Sequence, residues 1–380
     1  MPIGDAARMS PVAFAIVCAI GLIVFAVIIA SRARLLFAAR PAGRLDRIPE
    51  RLKRAVVYGL GQRKFLSGEQ PAGIMHALIF WGFVVLMIQV VTLYGRAFDA
   101  DWSLPGLAES ELLGPPFAVA RDVVEAIVAV GVLYMLYRRL IAHTPRLFGL
   151  RRAEQRYRDK PHWEGVLILL FILFIVVGGL LYDHASSEAG WWLHNVTVLV
   201  FLCLLPLTKH FHILTAIPNL FFAKLPPREV ARPLEITHVP AAPVAALNRP
   251  AEGSVGVASL GDLNWKQVLD AFTCTECGRC TEVCPATAGG TPLAPRQLIL
   301  DLRDRLYHGN GDEPLISDEV LWSCTTCMAC VEAVDDGRPG DRGAAERAAD
   351  PRSADARGAR LLPRVLPEGS GHVLGRREGG

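Results

Sequence analysis

Seven of the nine cysteines lie between Cys274 and Cys330. Cys274, Cys277, Cys280 and Cys284 follow a C-x2-C-x2-C-x3-C spacing and are followed by Pro285. Two-residue gaps let three thiolates of one tight loop face three irons of a single 4Fe-4S cluster. The fourth cysteine, redirected by its proline, ligates a second cluster. Gly278 lets backbone N–H groups approach the sulfides. Zinc also uses two-residue spacing, but four cysteines within eleven residues, ending in Cys-Pro, favour iron. A second run begins forty residues later with Cys324, Cys327 and Cys330. Val334, followed by Asp335, stands where a fourth cysteine and its proline would complete that run. By ligand counting, the cluster of Cys324, Cys327 and Cys330 is completed by Cys284. The cluster of Cys274, Cys277 and Cys280 is one thiolate short. It either takes Asp335 or Asp336, persists as a three-iron form, or is absent.

Histidine supplies the other candidate chemistry. A bilayer core about 30 Å thick is crossed by roughly 20 apolar helical residues. Such runs occur at Pro11 to Ala30, Ala72 to Gly95, Gly165 to Tyr182 and Trp191 to Leu207. A fifth, Pro116 to Tyr137, carries Arg121, Asp122 and Glu125 in its first turns. His76 interrupts the second run and His194 the last, and histidines at such positions are functional candidates. The last run is expected to continue through Lys209-His210-Phe211-His212 toward Pro218. His194 and His212 would then share one face, five turns apart, with His210 pointing away. His76 and His212 would lie at one depth near the inner surface, the arrangement a six-coordinate b haem needs. The plainer reading of each is an interfacial histidine bonded to headgroups or backbone. His194 has no histidine opposite it, the corresponding outer position being near Leu86, so a second haem is not expected. Cys18 and Cys203, inside membrane runs, read as packing residues.

Lysine and arginine in short loops orient the helices. Ten lie between Ser31 and Gln70 and eight between Arg138 and Lys160, against one between Arg96 and Pro116 and none between Tyr182 and Trp191. The N-terminus is therefore expected outside and everything after Phe222 in the cytoplasm, where metal ligation replaces the disulfides that clustered cysteines form in secreted chains. The first run is too long, and too closely followed by arginines, for a secretory signal. The net charge of +3 makes no case for nucleic acid.

Beyond the membrane runs, residues 223–263 read as a linker rich in Pro and Ala. A helical pattern starts at Asn264-Trp265-Lys266, and another covers Pro295 to His308. From Val334 onward 47 residues contain neither cysteine nor aromatic. Such a composition buries too little apolar surface to order itself. It reads either as a natural disordered tail or as out-of-frame translation of a GC-rich gene that replaces the true C-terminal half.

The Met75-His76-Ala77 context and the His194/His212 spacing resemble the gamma subunit of respiratory nitrate reductase. That resemblance implies b haem between the second and fifth helices and exchange of electrons with quinol. The helix-separated cysteine runs resemble the alpha-helical ferredoxin modules of heterodisulfide reductase, glycerol-3-phosphate dehydrogenase and fumarate reductase iron–sulfur subunits. Ala271-Phe272-Thr273-Cys274-Thr275-Glu276-Cys277-Gly278-Arg279-Cys280, Trp322-Ser323-Cys324-Thr325-Thr326-Cys327 and Lys209-His210-Phe211-His212 are similar to membrane-bound heterodisulfide-reductase-related proteins. That family passes electrons from electron-transfer flavoprotein to menaquinone, so the resemblance implies those partners.

The expected fold is all-α: a five-helix transmembrane domain (10–222), N-out and C-in, a linker (223–263), a dicluster ferredoxin-like module (264–333) and a disordered or aberrant tail (334–380). The expected function is electron transfer between a cytoplasmic redox partner and the quinone pool through 4Fe-4S clusters and haem b. The alternatives are a membrane-tethered redox sensor, which lacks a visible output domain, and a nonfunctional fragment of a larger oxidoreductase.

Overall fold

The computed structural model describes residues 10–149, 154, 163–223, 225, 260–309, 316–327 and 329–335. These are helical, with no strand among them and a single bridge between Arg40 and Asn264. Five long helices come first: α1 (Pro11–Ala38), α2 (Ala72–Gly95), α3 (Gly114–Leu140), α4 (Trp163–Ala185) and α5 (Glu188–Leu204). Ser10 caps α1 by accepting the Ala13 amide at 3.3 Å, and Pro11 occupies the first turn, where no amide hydrogen is needed. Within α1 only Phe14 is buried, while Ile16, Ile20, Ile23 and Val27 are more than half exposed. Such surface is stable only against lipid, where a helix satisfies its own backbone.

Among the described residues, four helices are long and apolar enough to cross a membrane: α1, α2, α4, and α5 with its extension to Leu207. The chain is therefore membrane-associated. Helix α3 is as long as these but carries Arg121, Asp122 and Glu125, and is not among the four. It packs between α2 and α4 through Val128, Val132 and Leu136. Small residues let the helices close up, as membrane helices require in the absence of a hydrophobic force between them. A Cβ on Gly178 of α4 would lie 2.7 Å from the His194 amide nitrogen of α5.

The last helix departs from expectation. Instead of running on, α5 gives way to a 3-10 turn over Leu205–Leu207 containing Pro206, and Thr208 is extended, with φ −119° and ψ 172°. The Thr208 hydroxyl accepts the His210 amide at 3.2 Å and starts a second 3-10 turn, Lys209–Phe211, before α6 (His212–Phe221). His194 and His212 thus do not share one continuous helical face.

The cysteine module begins with a 3-10 turn at Leu260–Asp262 and helix α7 (Trp265–Thr273), whose Asn264 and Gln267 form a reciprocal capping box. Helices α8 (Pro295–His308) and α9 (Ala329–Asp335) follow. Phe211, Leu263, Val268, Ala271, Phe272 and Leu306 share one buried core, with Ile29, Leu35 and Leu36 of α1 packed on it. Arg32 lies over the Tyr307 ring at 3.6 Å. The module therefore sits directly on the C-terminal end of α1 and on α6. Most of the expected linker, and the tail from residue 336, lie outside the described residues; α9 includes Val334 and Asp335 in its backbone.

Candidate functional site

The first cysteine loop is shaped by its backbone. Cys274 ends α7 with an extended ψ of 119°. Glu276 and Gly278 then adopt left-handed φ values of 59° and 77°, curling the chain so that Cys274, Cys277 and Cys280 act on one another. A side chain at position 278 would lie 2.8 Å from Arg146 and Arg296 atoms, so glycine is required. Thr326, immediately before Cys327, repeats the left-handed turn of Glu276 before Cys277, with φ 53°. The two runs thus use the same local device.

Electrostatic neighbourhoods divide the thiols. Burial, with Cys277 and Cys274 alongside, pushes the Cys280 thiol up to about 12. Cys274 is raised by burial and, more weakly, by Cys277 and Glu276. Cys330 is raised by burial and by Cys284 and Cys327. Cys284 is buried among Ala286, Leu293, Leu298 and Val320 and acts on Cys330 of the second run. Cys324 and Cys327 are exposed. Crowded, buried thiols keep their protons unless a cation displaces them, which is what iron does. Among the described residues no three His, Cys, Asp or Glu side chains converge on one ion position; a cubane takes each thiolate at a different iron. The donor set fits such clusters. Of the carboxylates considered as a replacement fourth ligand, the Asp335 side chain and Asp336 lie outside the described residues.

Charge surrounds the first loop. Glu276, almost fully buried, pairs with Arg303, whose Nη1 also donates to the Cys274 carbonyl at 3.1 Å. Arg296 donates to the Glu276 carbonyl at 3.2 Å and pairs with Glu154 at 2.5 Å. The Lys209 ammonium lies 3.7 Å from the Glu276 carboxylate.

The histidines are gathered differently from expectation. His76 and His212 do meet, with ring centroids 6.5 Å apart. Two imidazoles on opposite sides of one metal, each nitrogen about 2 Å from it, have ring centres roughly 6 Å apart, so the spacing fits a shared metal. His212 Nδ1 donates to the Lys209 carbonyl at 3.0 Å, which leaves Nε2 with its lone pair. His76 Nδ1 is buried without a partner, and Phe65 stacks on the ring at 3.9 Å. His210 does not point away: the break at Thr208 brings its ring to 5.9 Å from that of His212. His194 stands apart in α5, donating from Nδ1 to the Ile175 carbonyl at 2.8 Å, with Nε2 buried and unpartnered. A Cβ on Gly179 would lie 3.5 Å from His194 Nδ1 and 3.0 Å from Glu125 Oε1, so α4 approaches both α5 and α3 closely at that glycine.

The end of α7 and the first cysteine loop contact residues beside this histidine pair. Phe272 meets Phe211 at 5.7 Å between ring centroids, and the Thr273 hydroxyl donates to that of Thr215 at 3.0 Å. Arg279 lies 5.2 Å from the Phe65 ring centroid. Spacing alone did not reveal Glu276, Arg279, Lys209 or Phe65. The one available signal was Pro206, which marks the end of α5 ahead of the histidines.

Comparison with known proteins agrees with the cysteine reading. Residues 266–333 match the 4Fe-4S dicluster domain family. The chain is 24% identical over 367 residues to the probable iron-sulfur-binding oxidoreductase FadF of Bacillus subtilis, covering 75% of this chain and 47% of that protein. It is 24% identical over 367 residues to the EtfAB:quinone oxidoreductase of Syntrophomonas wolfei, covering 76% and 47%. Over 71 residues it is 38% identical to one polypeptide of the ferredoxin:CoB-CoM heterodisulfide reductase of Methanosarcina mazei, covering 19% and 40%. The chain spans about half the length of the first two relatives. No solved structure matches. The resemblance to heterodisulfide-reductase-related proteins holds, and the dicluster match, with the name of the Bacillus relative, supports 4Fe-4S clusters in this chain.

Proposed function

We propose that this chain carries electrons between a membrane quinone and a soluble protein, through two 4Fe-4S clusters and one b haem. The observation that supports this is the contact of the end of α7 and the first cysteine loop with residues beside the His76–His212 pair: Phe272 with Phe211, Thr273 with Thr215 and Arg279 with Phe65. In this reading five helices cross the bilayer, α3 being the additional one. Its Arg121 is partnered internally, with Asp183 of α4 at 3.1 Å. The loop charges put the N-terminus outside and the cysteine module in the cytoplasm.

Cys274, Cys277 and Cys280 would hold one cluster, and Cys284, Cys324, Cys327 and Cys330 the other. His76 and His212 would hold the haem, and His194 lies outside that pair. These groups supply one-electron chemistry, while the chain sets their spacing, burial and surrounding charge. The name of the Syntrophomonas relative favours electron-transfer flavoprotein and a quinone such as menaquinone as partners. The test is to reduce the detergent-purified chain chemically and add a menaquinone analogue. Reoxidation of both the broad cluster absorption and a b-type band is expected. A quinone that reoxidises neither would end this reading.

A further inference from the structure

We propose that Glu276 and Arg279, two residues inside the first cysteine loop, are positioning residues for the His76–His212 pair and set its redox potential from opposite directions. The proposal rests on the b-haem reading above. Each residue reaches its histidine through one intermediate. The Glu276 carboxylate lies 3.7 Å from the Lys209 ammonium, and the Lys209 carbonyl accepts the Nδ1 hydrogen of His212 at 3.0 Å. Glu164 of α4 accepts the Lys209 amide at 3.0 Å, so the backbone that orients His212 is held from two sides. On the other arm, the Arg279 guanidinium lies 5.2 Å from the Phe65 ring centroid. Phe65 stacks on His76 at 3.9 Å with the planes 10° apart.

The two arms share an anchor. Glu276 directly precedes Cys277 and Arg279 directly precedes Cys280, so the thiolates that grip a cluster also fix both arms. Glu276 occupies a left-handed conformation, at φ 59°, which disfavours a residue with a Cβ. Glycine would relieve that strain, and the buried carboxylate is what glycine lacks. The signs follow from electrostatics. A negative charge near a redox centre favours its oxidised form and lowers its potential, and a positive charge raises it.

The test is a redox titration of the full-length, detergent-purified chain, followed at the b-type absorption band, with iron content as the control for folding. Glu276→Gln should raise the haem potential and Arg279→Gln should lower it, both with iron retained. Lys209→Met, which leaves its carbonyl to His212, should also lower the potential, and it stands in if Arg279→Gln does not fold. Loss of packing alone has no reason to produce opposite shifts. Potentials unchanged in these variants, or shifted in one common direction, overturn the proposal while leaving the haem reading intact. If the unmodified chain shows no b-type absorption, the haem reading falls and this proposal falls with it.

Discussion

Cys284 closes the first cysteine run in sequence but neighbours Cys330 of the second run in space, where it helps to raise the Cys330 thiol. The Cys-Pro step produces this: Cys284 is extended, with ψ 117°, and Pro285 opens a new helical turn that leads away from the first loop. Two clusters sharing one motif should therefore fail separately. Cys284→Ser is expected to remove the cluster of Cys324 and Cys327 and spare the one at Cys274, while Cys280→Ser does the reverse. Iron and sulfide per chain, with electron paramagnetic resonance, would separate the two cases. Stoichiometric zinc without iron after anaerobic purification would count against both.

The histidine pair gives a second expectation. A reduced-minus-oxidised spectrum should contain a b-type signal that His76→Ala and His212→Ala each abolish. His194→Ala should leave it, because His194 stands apart from that pair, with its Nδ1 donating to the Ile175 carbonyl of α4. Retention of the signal in the His76 variant would show that another residue binds the haem.

The dicluster module was legible from sequence because a cubane loop is specified by spacing over a few residues, whatever packs around it. Helix α8 was legible end to end, with Pro295 at its start and Gly309 after its last residue. The pairing of His76 with His212 was also legible, though through an assumed continuous helix that Thr208 interrupts. His210 was misplaced for that same reason. Glu276 and Lys209 could not be paired in advance, because 67 positions separate them and only the docking of the module brings them together. Arg121, Asp122 and Glu125 obscured α3, since hydropathy does not register that Asp183 of a neighbouring helix neutralises Arg121.

Packing of the module on the membrane helices can be tested at Phe272, which is 2% exposed and touches both Phe211 and Tyr307. Phe272→Ala is expected to cost about 3–5 kcal/mol, as aromatic truncations in cores do. Thermal unfolding in detergent, monitored by cluster absorption, should show an earlier transition than in the unmodified chain. An unchanged transition would mean that this core does not couple the module to the bundle.

Gly278 offers a more local test. Its φ of 77° disfavours any residue with a Cβ, and that Cβ would collide with Arg146 and Arg296 at 2.8 Å. Gly278→Ala should displace the loop between Cys277 and Cys280 and deplete the first cluster, leaving the second near its normal content. Equal loss of both would point to general unfolding instead.

The last prediction follows from counting ligands. A four-iron cubane is held by four thiolates, and Cys274, Cys277 and Cys280 supply three. The residue at the fourth position of the second run is Val334, in the last turn of α9. Water or a carboxylate donates less charge to iron than a thiolate, so the iron left without one should be labile. The first cluster should then appear as a three-iron signal by electron paramagnetic resonance after mild oxidation, while the second survives. Helix α9 packs against the turn that carries Cys280, which puts its C-terminal part within the same module as the incomplete ligand set. Val334→Cys combined with Asp335→Pro should therefore restore the motif and raise iron toward eight atoms per chain. If the unmodified chain already holds two stable four-iron clusters, a ligand other than these seven cysteines completes the first, and the counting fails.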